Sequence, residues 1–200
     1  MLLLAHTGIT LGVSALLSIR KENKSSFYFP RTINWIEFRD RLLRWPIYLG
    51  RAMDVRILLI GSLLPDIIDK PVGQILLRET FSSGKIFSHT LLFLVVITAT
   101  GFYLYKRYNE TRLLVLSFGT FMHLLLDQMW LSSRTLFWPI FGLAFDRADL
   151  TDWARNILRA LFTNPEVYIP ELIGMIVLIW FTIILLQQKK ILAFLKYGRI

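Results

Sequence analysis

Five long apolar runs constrain this chain more than any other feature: Leu2 to Ile19, Val55 to Ile68, His89 to Tyr105, Leu113 to Met129 and Leu172 to Leu186. Each is too long for an ordinary strand and close to the roughly 20 residues that a helix needs to cross a bilayer. Lipid offers no partner to a bare N–H or C=O, so segments of this kind become helices. The composition agrees, because 54% of the 200 residues are hydrophobic and the mean hydropathy is +0.52. An ordinary soluble domain holds about 45–50% apolar residues. The expected architecture is an all-α integral membrane bundle of about five transmembrane helices, in which residues 1–200 form a single domain. The second run is the shortest, with Asp54 and Arg56 at its start, and is expected to tilt or to stop partway.

The first run is read as a retained span. A secretory signal opens on a basic segment, whereas Met1-Leu2-Leu3-Leu4-Ala5 carries none and the positive charges follow the run. Nine Lys/Arg lie between Arg20 and Arg56 against four acidic residues, which assigns that segment to the cytoplasm. With the N-terminus outside, five alternating spans also bring Lys106, Arg107, Arg112, Lys189, Lys190, Lys196 and Arg199 inside. The C-terminus is then cytoplasmic. The net charge of +9 thus reads as topology and as contact with anionic lipid headgroups at the cytoplasmic face, with no nucleic-acid partner required. There are no cysteines, so a metal must be held by His, Asp or Glu.

Two segments have the pattern of helices lying in the interface. Trp35, Phe38, Leu42 and Trp45 recur at helical spacing among Arg39, Arg41 and Arg44 on the inner side. Trp153, Ile157, Leu158, Leu161 and Phe162 form a similar stripe outside, with Asp149 or Thr151 as its N-cap.

Oriented in this way, the chain brings seven polar residues to one layer near the outer surface: His6, Asp66, Asp69, His89, His123, Asp127 and Glu171. They include every histidine in the sequence. Most admit an ordinary role. His6 fits an interfacial side chain, His89 a helix start capped by Ser88, Asp69 a helix end before Lys70-Pro71, and Glu171 the first turn of a helix after Pro170. His123 and Asp127 resist that reading, because their i, i+4 spacing puts both on one face of a helix inside an apolar run, where ionisable groups are costly. Gly119 on the same stripe allows a close neighbour. Asp66 and Asp69 at i, i+3 repeat the geometry. Three imidazoles and up to four carboxylates suit one or more divalent metals, zinc ahead of magnesium.

Ala5-His6, the stretch Gly61-Ser62-Leu63-Leu64-Pro65-Asp66-Ile67-Ile68-Asp69, then Ser88-His89, His123-Leu124-Leu125-Leu126-Asp127 and Trp138-Pro139 resemble the YdjM-like membrane-bound metal-dependent hydrolase family. Pro170-Glu171-Leu172-Ile173-Gly174 resembles the last-helix signature of a subset. The resemblance implies a helical enzyme distantly similar to the zinc-dependent phospholipase C and P1 nuclease group, whose clustered metals cleave phosphoesters. Relatives carry Asp-x-Asp after the proline, where here the second acid comes one residue later. They also carry a His-Arg pair where this chain reads Gly84-Lys85, which leaves the count at one to three ions, zinc first and manganese second.

On this reading His6, Asp66, His89, His123 and Asp127 are the principal metal ligands. Asp69 and Glu171 are either further ligands or, with Asp66, the catalytic carboxylates that take a proton from water. Lys85 and Arg134 are candidates for holding phosphate. The expected reaction is hydrolysis of a phosphoester in a membrane lipid or lipid-linked substrate at the extracytoplasmic headgroup level. The alternatives are a metal- or proton-coupled transporter and a non-enzymatic scaffold.

Overall fold

The computed structural model describes residues 3–23, 53–143, 145 and 152–198, whose regular structure is helical with no strand among them. The inner amphipathic segment Trp35–Trp45 lies outside the described residues, as do Asp149 and Thr151. The helices are α1 (Leu3–Asn23), α2 (Val55–Pro71), α3 (Leu91–Tyr108), α4 (Arg112–Leu126), the short α5 (Ser133–Leu136), α6 (Trp153–Thr163), α7 (Pro165–Gln187) and α8 (Ile191–Tyr197). A π-helical turn, Val72–Leu76, continues α2, and a 3-10 turn, Met129–Leu131, follows α4. The five apolar runs thus appear as α1, α2, α3, α4 and α7. By length and apolarity α7 alone among the described helices qualifies as a bilayer-crossing helix, and Leu3–Leu17 and Arg112–Leu126 are shorter apolar stretches.

The bundle is built from two tight pairs, α1 against α7 and α2 against α4. Helix α2 also touches α1, and α3 covers α4. Both tight crossings are glycine contacts. A Cβ on Gly8 would overlap the Gly174 carbonyl oxygen, and one on Gly61 would overlap the Leu116 carbonyl oxygen. Backbones meet directly there, in the manner of small-residue interfaces between membrane helices.

The interior is correspondingly polar and small. Thr10, Ser14, Ser62, Ser117, Thr120 and the three histidines are buried, whereas Leu92, Val95, Phe102, Ile176, Ile179 and Leu186 face outward. Large apolar side chains on the outside of a bundle are costly in water and at home in lipid. Away from the histidines the core is ordinary, with Leu11, Ala15, Val55, Phe181, Ile184 and Leu185 packed together.

Several boundaries differ from the sequence reading. Helix α2 runs through Pro65 and past Ile68 to Pro71, so Asp69 does not end a helix at the surface but is fully buried within one. Thr90, not Ser88, caps α3, its hydroxyl accepting the Phe93 N–H, and Ser88 Oγ instead donates to the Pro65 carbonyl. Helix α7 starts at Pro165 under an Asn164 cap, five residues before Pro170, which places Glu171 in the helix body. The second amphipathic segment forms as α6, and its N-cap position is Asp152, with no side-chain cap bond.

Candidate metal centre

Helix α2 carries its own reason for receiving a histidine. Pro65 has no N–H, so the Gly61 carbonyl loses its helical partner, and Thr120 Oγ1 from α4 shares its proton between that oxygen at 3.3 Å and the Leu116 carbonyl at 3.1 Å. One residue on, the Ser62 carbonyl oxygen accepts from His123 Nδ1 at 2.7 Å. The glycine crossing at Gly61 and Gly119 lets α4 come close enough for both bonds.

A carbonyl oxygen only accepts, so His123 Nδ1 carries the proton and Nε2 of the neutral ring is a bare lone pair. The same logic fixes His89. Its Nδ1 lies 2.7 Å from Asp69 Oδ2, a carboxylate oxygen, so Nδ1 carries a proton, and only in the neutral ring is Nε2 free to act as a ligand. These two Nε2 atoms face each other at 3.2 Å. Asp66 Oδ1 stands 3.6 Å from His89 Nε2 and 3.8 Å from His123 Nε2. Asp127 Oδ2 is 3.9 Å from each. Two imidazole nitrogens and two carboxylate oxygens that converge within buried or nearly buried residues form an environment that a cation neutralises.

His6 completes the cluster from α1. Its ring stacks on His123 with centroids 4.0 Å apart, and Nε2 lies 3.1 Å from Asp127 Oδ1 without hydrogen-bond alignment. Nδ1 of His6 is buried and meets no hydrogen-bond partner among the described residues. Ligand atoms gather in two overlapping sets, His6 with His123 and Asp127, and Asp66 with His89 and His123, each within 4.8 Å. His123 is common to both. The donor set, imidazole nitrogen with carboxylate oxygen, is one that a divalent metal ion can use.

The other two acids of the expected ligand set are placed behind the cluster. Asp69 accepts the N–H groups of Ile86 (2.7 Å), Ser88 (3.0 Å) and His89 (3.2 Å) as well as His89 Nδ1, which ties the 86–89 loop to α2 and aims the imidazole. Glu171 accepts the N–H groups of Leu4 (3.1 Å) and Ala5 (3.3 Å), satisfying two donors at the start of α1 from across the α1–α7 crossing. Neither carboxylate joins the groups of candidate ligand atoms. Asp69 thus holds the His89 ring, and Glu171 holds the first turn of α1, on which His6 lies.

Two lysines stand over the cluster. Lys85 Nζ is 2.8 Å from Asp127 Oδ2, and Lys70 Nζ is 2.6 Å from Asp66 Oδ2. Lys85 is legible in the sequence as an outer basic residue. Lys70 is not among the sequence candidates, although its i, i+4 spacing from Asp66 is a visible signal. Arg134, the other phosphate candidate, is exposed on α5. The orienting role of the Ser62 carbonyl leaves no side-chain signal at all, only the proline three residues later.

No curated protein and no solved structure matches the chain. The family model described as YdjM inner membrane protein matches residues 1–196. That match spans nearly the full sequence and includes every residue of the cluster, so the chain belongs to the YdjM inner membrane protein family.

Proposed function

We propose that the protein is a metal-dependent hydrolase of the cytoplasmic membrane that cleaves a phosphoester in a lipid or lipid-linked substrate at the outer headgroup level. The observation that carries this reading is the convergence of His89 Nε2 and His123 Nε2, 3.2 Å apart, with the carboxylates of Asp66 and Asp127. Each ring is held by a partner on its far nitrogen, the arrangement by which proteins fix metal-binding histidines. His6, Asp66, His89, His123 and Asp127 would hold the ion or ions, with zinc the preferred metal. A bound divalent ion supplies Lewis acidity to a phosphoryl oxygen and lowers the pKa of water to about 7.

The chain's own groups do the rest. Asp66 is the more accessible of the two cluster carboxylates, 16% exposed against 5% for Asp127, and in this reading it would be the one to take a proton from an entering water. Asp69 and Glu171 keep the histidines in register and move no proton themselves. The five apolar helices α1, α2, α3, α4 and α7 are proposed as spans, with the N-terminus outside and the C-terminus cytoplasmic, which leaves α6 on the outer surface beside the site.

One observation favours cation transport as a second reading. The buried hydroxyls of Thr10, Ser14, Ser117 and Thr120 continue the polar interior inward from the histidines, and Thr10 Oγ1 meets no partner among the described residues. Purified protein should release phosphate or a phosphorylated headgroup from one member of a panel of native lipid extract, phospholipids and isoprenoid phosphates, and a chelator should stop the release. Metal flux in sealed proteoliposomes with no turnover of any lipid in the panel would replace the hydrolase by the transporter.

A further inference from the structure

The two lysines over the cluster are placed on the carboxylates that the proposed metal needs. Lys70 Nζ bonds Asp66 Oδ2 and Lys85 Nζ lies against Asp127 Oδ2, the oxygen of Asp127 that also faces His89 and His123. Both lysines are 41% exposed, so each ammonium sits at the boundary between the buried carboxylates and solvent. They come from different segments, Lys70 from the last turn of α2 and Lys85 from the loop that Asp69 ties back.

The two lysines balance the two cluster carboxylates, one for one. A divalent ion bound to Asp66 Oδ1 and Asp127 Oδ2 therefore puts two positive charges in excess at the mouth, competing with Lys85 for Asp127 Oδ2 while Lys70 stays on Asp66 Oδ2. Such an excess beside two half-exposed ammonium groups attracts an anion. We propose that Lys70 and Lys85 form the anion subsite of this metal centre and select a phosphomonoester, whose dianion matches the excess, over a diester that bears one charge or a cationic headgroup. The inference rests on the hydrolase reading and adds the substrate class to it. A choline headgroup would set a third cation against the two lysines, which is unfavourable. A lipid phosphomonoester and free phosphate share the recognised chemistry.

The test separates metal binding from anion binding. Zinc affinity is measured by chelator competition on the wild type, Lys70→Met, Lys85→Met and the two Lys→Arg variants. Each zinc-loaded protein is then titrated with inorganic phosphate and with nanodiscs containing phosphatidic acid or phosphatidylcholine. The methionine variants should bind zinc at least as tightly as the wild type, because a competing cation has been removed. They should bind phosphate and phosphatidic acid about ten-fold more weakly or worse, as expected for loss of a charge-assisted hydrogen bond, and the arginine variants should retain both. Loss of phosphatidic acid binding with unchanged inorganic phosphate, or the converse, identifies which source the subsite serves. Reduced zinc in the methionine variants would make the lysines mere supports of the ligands and overturn the proposal. So would affinity for both phosphate and phosphatidic acid that the substitutions leave unchanged, or phosphatidylcholine bound as tightly as phosphatidic acid. A wild type that takes up no zinc overturns the metal reading itself, and this inference with it.

Discussion

Asp66 and Asp69 stand one turn apart on α2 and have opposite employments. Asp66 turns Oδ1 to the imidazoles, whereas Asp69 is saturated by three backbone N–H groups and the His89 ring. Replacing Asp66 by Asn should therefore remove a ligand and lower metal content directly. Asp69→Asn leaves the five ligands in place but presents an amide to donors, so the 86–89 loop loosens and His89 loses its aim. Metal affinity should fall about 10–100-fold, the usual cost of losing an outer partner, and helix content by circular dichroism should persist. Metal retained by Asp66→Asn and lost by Asp69→Asn would exchange the two roles. The sequence makes the pair visible but not this division, because Asp69 finds its partners 17 to 20 residues away on backbone amides that carry no sequence signature. His123 and Asp127 are legible for the opposite reason: their relation is local, fixed by one turn of one helix.

At the level of elements, the site depends on how close the helices come. His6 reaches His123 only because α1 lies on α7 through Gly8 and Gly174, where a Cβ on Gly174 would overlap the Leu4 carbonyl oxygen. That crossing also brings Glu171 to the N–H groups of Leu4 and Ala5. Gly174→Val should push α1 outward, remove both bonds and carry His6 away from Asp127. A loss on the order of several kcal/mol is expected, since the obstacle is backbone rather than a movable side chain. Thermal unfolding in detergent should show the drop, and metal content should fall with it; an unchanged midpoint would mean that the helices do not meet there. The apolar runs announce the helices that cross, and Gly119 announces one close contact. The start of α7 at Pro165 does not stand out, because Pro170-Glu171 imitates a helix start and the true cap, Asn164-Pro165, lies about one and a half turns earlier.

Across the whole molecule, the two ends of the bundle differ in chemistry. At the end opposite the histidines, the Val55 N–H donates to the Gly198 carbonyl at 3.0 Å and Arg56 donates to the Leu195 carbonyl at 2.9 Å, joining α8 to the start of α2. Arg56 and Lys196 are thus gathered on one side, with Lys106 and Arg107 at the end of α3. The cluster, α5 and α6 belong to the other. A basic excess at one end and buried carboxylates at the other is the distribution that a cytoplasmic leaflet selects. In sealed right-side-out vesicles, Ser133→Cys should react with an impermeant maleimide, whereas Lys190→Cys should react only after the membrane is opened. The native chain has no cysteine, so every signal belongs to the introduced residue. Reaction of both positions in intact vesicles would break the alternation of five spans. Reaction of Lys190→Cys alone would invert the molecule and turn the metal centre toward the cytoplasm, where its substrate would have to come from the inner leaflet.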